Sequence, residues 1–301
     1  MYDIIIIGAG PAGLTASIYG KRNNKKVLLL EGSAYGGQII NTLDIENYPT
    51  QAHISGFDFA TRLYNQAKDL GAEIKFEKVT EIKNLKNHKE VVTLKNTYQA
   101  KTIIIATGAK NKKLGIKRED ELIGKGVSYC ASCDGAFFKK KDVAVIGGGN
   151  TAVEDALYLS DVANKVYIIL RRDTFSAEER NTKDLKSKKN VEIIINSNVI
   201  ALNGDKKLES IDIESKDKKI TNINVSGIFI AIGREPSNEI VKDLINLDKY
   251  GYIISNENCH TNIDGIFVAG DNRVKELRQL VTATSDGAIA ANEAIKYVNK
   301  K

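Results

Sequence analysis

Short apolar runs that each close on a glycine recur along the chain: YDIIIIG at 2–8, TIIIATG at 102–108, DVAVIG at 142–147, GIFIAIG at 227–233 and GIFVAG at 265–270. Their length and their glycine stops predict strands. Two of them lead into helical segments, GAGPAGLTASIYGKR and GGGNTAVEDALYLSDV, and then into further strands, KKVLLLE and KVYIILRR. Residues 75–101 and 185–225 instead alternate apolar with polar positions, the period of a small antiparallel meander. Near the end, RQLVTATSDGAIAANEAIKYV is a helix candidate of small and apolar residues beginning near Arg278, its SDG read as a cap or kink. One plan is used twice, which predicts an α/β fold with two Rossmann-like dinucleotide-binding domains.

Composition narrows the classes. The chain has 301 residues, 42% hydrophobic and 27% charged. That suffices for two domains that need neither disulfides nor metals to hold a core. No run approaches the roughly 18 apolar residues of a membrane span, and MYDIIIIGAG lacks the basic leader and cleavage site of a signal peptide. The 44 basic residues are interspersed with 38 acidic ones, so the net charge of +6 forms no nucleic-acid stripe. Three cysteines, an odd count, argue against a secreted disulfide scaffold and for a reducing, cytoplasmic setting. The expected partners exclude nucleic acid and membrane.

The two strand–glycine–helix units carry specific chemistry. Gly8, Gly10 and Gly13 stand in G-x-G-x-x-G spacing: the first permits a tight turn, the second lets backbone approach a pyrophosphate, and the third lets helix and strand pack closely. The helix N-terminus then faces the phosphates, and Glu31, ending the next strand, is placed to accept from a ribose hydroxyl. The second unit repeats the turn with Gly147, Gly149 and Ala152. Its counterpart of Glu31 is Leu170, followed by Arg171 and Arg172. Guanidinium groups in place of a carboxylate suit a 2′-phosphate, hence NADP rather than NAD. The alternative is that the arginines merely end a strand at the surface.

Cys130 and Cys133 form a C-x-x-C just before the second fingerprint, with Asp134 next to them. A cytosolic C-x-x-C beside a βαβ unit signals redox work, with the acid as proton carrier. Half a zinc site is the competing reading, for which Cys259 and His260 are the other available ligands. Cys259 otherwise reads as a small buried hydrophobe. The three histidines, His53, His88 and His260, are scattered and read as surface or capping residues.

The combination GAGPAG, GGQI, ENYP, IIATGA, CASCDG, VIGGGNTA, RRD, AIGREP, GIFVAGD and LRQLVTATSDGAIAA resembles, almost end to end, the bacterial-type low-molecular-weight thioredoxin reductases, flavoproteins with two dinucleotide-binding domains. The resemblance implies a domain binding FAD over 1–112 and 242–301, with a domain for NADPH, 113–241, inserted in it and carrying the C-x-x-C. For FAD it implies Gly8, Gly10, Ala12, Gly13, Glu31, Gly36, Gly37, Gln38, Asn47, Gly108, Asp271, Arg278 and Gln279. For NADPH it implies Gly147, Gly149, Asn150, Thr151, Ala152, Arg171 and Arg172. Cys133 is then the flavin-side thiol, Cys130 the nucleophile toward thioredoxin or a thioredoxin-like disulfide, Asp134 the proton carrier, and Phe137 and Phe138 an apolar docking edge. A homodimer and a rotation of the inserted domain are also implied. The sequence departs from the family's H-R-R-x-x-x-R clamp, with Leu170 for the His and Ser176 for the last Arg. That departure leaves NADH or reduced ferredoxin as alternative donors. A non-catalytic nucleotide- or zinc-binding protein is the reading from another class.

Overall fold

The computed structural model describes residues 1–42, 44–51 and 53–300. The chain folds as two compact units, Met1–Lys110 with Glu235–Lys301, and Asn111–Arg234.

The first unit opens with β1 (Tyr2–Ile7), α1 (Pro11–Arg22), β2 (Val27–Glu31), α2 (Gly56–Asp69) and β3 (Glu73–Phe76). The ribbon β4 (Val79–Asn84) and β5 (Lys89–Thr93) follows, then the long β6 (Thr97–Ile105) and, at the crossing, β7 (Ala109–Asn111). The second unit runs through β8 (Val127–Ser128), α3 (Ala131–Asp134), β9 (Asp142–Ile146), α4 (Asn150–Val162) and β10 (Lys165–Ile169). It continues with α5 (Glu179–Ser187), β11 (Val191–Ile194), β12 (Ser197–Asn203), β13 (Ser210–Ser215), β14 (Ile220–Asn224) and β15 (Gly227–Ile230). After the returning crossing strand β16 (Arg234–Pro236), β17 (Ile266–Val268) and α6 (Leu280–Lys300) complete the first unit.

The first unit is built on a mixed sheet and the second on a parallel one. In the first the order is β3-β2-β1-β6-β5-β4, with β17 also on β6. The start of β6 pairs antiparallel with β5 (Val91 opposite Tyr98), while its end pairs parallel with β17 (Ile103 opposite Ile266). In the second unit the order β11-β10-β9-β15-β8 is parallel throughout, and β12-β13-β14 form a separate antiparallel sheet.

The uninterrupted apolar runs follow from burial on both faces. Ile4 and Ile6 of β1 join the core under α1 and α6, whereas Ile5 and Ile7 face Ile103, Val241 and Val268 on the other side. β9 repeats this, with Val143 and Val145 beneath α4 and Ala144 and Ile146 toward β12 and β13. Each such side chain contributes about 1.5–3 kcal/mol. Residues 235–241 go with the first unit because Val241 is fully buried in its core and Asn238 donates to the carbonyls of Gly251 and Asn272.

The SDG at 285–287 lies inside α6 and does not cap it. A Cβ on Gly287 would stand 2.2 Å from the Ala12 carbonyl oxygen, so glycine is what lets α6 lie against α1. Asp286 is 5% exposed and binds the turn that follows β17: it accepts from the Gly270 N–H, from Arg273 and from Lys275 Nζ at 2.8 Å.

Candidate functional site

In the first unit the fingerprint glycines adopt the conformations their roles require. Gly8 has φ 109°, closed to most side chains, and Gly10 is the N-cap of α1 with extended backbone, followed by Pro11 at the first helical position. A Cβ on Gly13 would lie 1.9 Å from the Gly8 carbonyl oxygen, whereas one on Gly10 would meet only the Gly37 Cα, at 4.0 Å. Helix and strand are thus in closest approach while the mouth of the turn stays open to a phosphate. Gly13→Ala is expected to force α1 off β1, lowering stability by about 1–3 kcal/mol. Thermal unfolding and the flavin retained after dialysis check this.

Around that turn the structure gathers candidates far apart in sequence. The Glu31 carboxylate accepts from the Ala9 and Ser33 N–H groups at 2.8 and 2.9 Å, which fixes it at the C-terminal end of β2. Gly36 (φ 101°) donates its N–H to the Ala9 carbonyl, and Gly37 and Gln38 begin the short 3-10 turn Gly37–Asn41. Asn47 donates to Gln279 at 3.3 Å. Arg278 lies 4.2 Å over the Tyr252 ring and donates to the carbonyls of Asp271 and Arg273. Ala12 packs beneath Gly270, next to Asp271, and Gly108 (φ 69°) accepts from the Ser237 N–H.

The second unit copies the turn: Gly147 has φ 140° and Gly149 caps α4 with extended backbone. The third position holds Ala152, and a Cβ on Gly147 would stand 3.0 Å from the Ala152 Cβ, so the bare glycine at 147 leaves room for that methyl. Asn150 and Thr151 begin α4, and the Asn150 side chain accepts from the Glu178 N–H. Arg171 and Arg172 are exposed. Leu170 is 1% exposed and packs against Gly148, and Ser176 donates both its N–H (2.8 Å) and its hydroxyl (3.3 Å) to the Gly148 carbonyl. Two of the four clamp positions therefore serve the core and the glycine turn, and two present charge to solvent.

Cys130 and Cys133 are joined as a disulfide with Cα atoms 5.3 Å apart, Cys130 being the N-cap of α3. That pairing occupies both sulfurs, which in this form are not available as zinc ligands. Cys259 is buried in the core of the other unit, and burial pushes its thiol up to about 12. The one cluster of metal-ligating groups among the described residues is Asp44, Glu46 and His53, largely exposed. Asp134 is held by the Ser128 hydroxyl at 2.6 Å, and burial raises its pKa while that hydrogen bond opposes the rise. Behind Cys130, Tyr129 donates to Glu119 at 2.6 Å, and the same carboxylate accepts from the Leu114 and Gly115 N–H groups. Phe137 is 53% exposed, but Phe138 packs edge-on against Phe229 and over Gly227. The apolar edge beside the dithiol is thus Phe137 alone, because Phe138 serves the core.

Among the described residues no helix is long and apolar enough to cross a membrane. The chain is 44% identical to the thioredoxin reductase of Listeria innocua, an alignment covering all of this chain and 95% of that one. It is 40% identical to the thioredoxin reductase of Bacillus subtilis over 100% of this chain and 96% of the relative. The crystal structure of thioredoxin reductase from Streptococcus pyogenes superposes with a TM-score of 0.90 at 42% identity, covering 100% of this chain and 99% of that one. Two glycine-turn folds, the second with a C-x-x-C disulfide ahead of it, agree with the family model that matches residues 2–287: the chain belongs to the pyridine nucleotide-disulphide oxidoreductases.

Proposed function

We infer that the protein is an FAD-dependent thioredoxin-disulfide reductase that carries electrons from NADPH to the Cys130–Cys133 disulfide and on to thioredoxin. The observation that carries this reading is the disulfide itself, next to a half-buried, hydrogen-bonded acid in a chain aligned over its whole length with thioredoxin reductases. The open mouth over Gly10, together with Glu31, Asn47, Asp271, Arg278 and Gln279, fits FAD. The copy over Gly149, with Asn150, Thr151, Arg171 and Arg172, fits NADPH. We assign FAD to the first unit, Met1–Lys110 with Glu235–Lys301, and NADPH to the second, Asn111–Arg234. Bound FAD supplies the two-electron chemistry between a nicotinamide and a disulfide.

The chain's own residues do the rest. Reduction of the disulfide consumes two electrons and two protons, and Asp134 delivers a proton to the departing sulfur. Cys130, as thiolate, attacks a sulfur of the partner disulfide and expels the other as a thiolate. Cys133 then attacks Cys130, releasing the reduced partner and restoring the Cys130–Cys133 bond. Phe137 supplies an apolar contact beside the exchanging sulfur. The protein acts in the reducing cytoplasm, as a homodimer.

The truncated clamp supports a second reading of the donor, since Leu170 and Ser176 supply no charge. Anaerobic titration of the flavin-loaded protein with NADPH, NADH and reduced ferredoxin separates the two. Flavin bleaching by NADPH well ahead of NADH is expected. Bleaching by ferredoxin alone replaces the donor and leaves the disulfide chemistry standing.

A further inference from the structure

The Ser128 side chain stands at the hub of the dithiol motif. It is 4% exposed, at the end of β8, and its hydroxyl oxygen accepts from the Cys130 N–H at 3.1 Å. Its single proton has two acceptors in reach, the Asp134 carboxylate at 2.6 Å and the Cys130 carbonyl at 3.3 Å. A hydroxyl can donate to only one of these at a time, and which one depends on the proton content of Asp134. With Asp134 ionised, the hydroxyl donates to the carboxylate. With Asp134 protonated, the acid itself donates to the Ser128 oxygen, and the hydroxyl proton turns to the Cys130 carbonyl.

We propose that Ser128 is a positioning residue whose hydroxyl switches donor direction with the protonation of Asp134 and so couples the acid to the backbone of Cys130. The inference rests on the redox role of the dithiol and adds a residue to it. Geometry makes the coupling direct: the Ser128 hydroxyl reaches the Asp134 carboxylate and both backbone groups of Cys130, and the Asp134 N–H closes the ring by donating to the Cys130 carbonyl at 3.1 Å. Burial drives the Asp134 pKa upward and the Ser128 hydrogen bond pulls it down. With the disulfide formed, no charged group among the described residues adds to these two. Glu154, Asp155 and Asp161 on α4, the Tyr158 ring against Gly135, and the Glu119–Tyr129 pair leave Asp134 without a resolved charge effect. With the disulfide formed, the Ser128 hydroxyl is the influence that lowers the Asp134 pKa against burial. Without it, the carboxylate loses its stabilising partner, and the acid keeps its proton to higher pH.

The test is a redox-difference infrared spectrum of the flavin-loaded protein across pH, following the carboxyl C=O band that Asp134→Asn removes. In Ser128→Ala the midpoint of that band is expected to move to higher pH and its frequency to rise. Ser128→Thr, which keeps the hydroxyl, restores both. Ser128→Ala should also leave the pH profile of Asp134→Asn unchanged, because the coupling has lost its acid. An unmoved midpoint in a folded Ser128→Ala protein, or a Thr variant that behaves as Ala does, overturns the proposal. So does a wild type without a titrating band. The readout needs no thioredoxin, so a failure of thioredoxin turnover in the wild type would count against the functional reading and leave Ser128 to be judged by the band.

Discussion

Cys130→Ser and Cys133→Ser each lower NADPH-driven thioredoxin reduction by about a thousandfold or more, since each removes a sulfur that must form a covalent bond in every turnover. The two proteins fail differently. Cys133→Ser keeps the nucleophile and loses the thiol that resolves the mixed disulfide, so it accumulates a covalent adduct with thioredoxin that a thiol reductant releases. Cys130→Ser forms no such adduct, while its Cys133 thiolate gives the long-wavelength absorption of a thiolate beside an oxidised flavin. Non-reducing gels and visible spectra read these outcomes. Normal turnover in either variant rules out the dithiol route, and the reverse pattern of adduct and absorption exchanges the roles of the two cysteines. Both cysteines are half-buried alike, so exposure does not separate their roles, and Phe137 beside them is open to a protein surface.

Arg171→Ala with Arg172→Ala removes most of the preference for NADPH over NADH. A hydrogen bond to a charged group contributes about 1.5–3 kcal/mol, and each 1.4 kcal/mol is tenfold in affinity. Loss of both contacts lowers kcat/KM for NADPH by roughly a hundredfold to ten-thousandfold and leaves that for NADH nearly unchanged. Ser176→Arg works in the other direction, adding a cation where the present side chain folds back on the Gly148 carbonyl. Steady-state kinetics with both nucleotides decide the matter. Equal losses with the two donors would show that the arginines hold the strand end and not a phosphate.

The parts of this molecule that were legible in its sequence are those whose cause is local. Gly8 and Gly13 announce a turn because each answers a demand within a few residues, a positive φ at Gly8, repeated at Gly147, and the Gly8 carbonyl pressed against Gly13. The four isoleucines of β1 read as a buried strand for the same reason. What stayed hidden depends on chain segments that meet only after folding. Nothing near Asp286 in the sequence says that Arg273 and Lys275 will surround it, so SDG reads as punctuation when it is a buried ion-pair site and a helix contact. Phe138 looks as exposed as Phe137 until Phe229, on β15, closes over it. Ser128 lies six residues from Asp134, yet the reversal between β8 and α3 that joins them leaves no mark in composition. Leu170 was visible as a missing charge, but its place in the core was not.

The pairing of β17 with β6 bears on how the chain reaches this fold. Ile103 and Ile266 are adjacent strand partners, and the whole of Asn111–Arg234 is synthesised between them. The second unit is one continuous stretch and can close its core as soon as it leaves the ribosome. The first unit cannot: the end of β6 lacks β17, and the apolar face of Ile4 and Ile6 lacks α6, until residues 266–300 emerge. Its contacts are of high sequence separation, which slows folding and leaves apolar strand edges uncovered in the interval. Insertion of one unit in the other thus sets an order of assembly, in which the half that carries the dithiol matures first and the half that would hold FAD waits for the C-terminus.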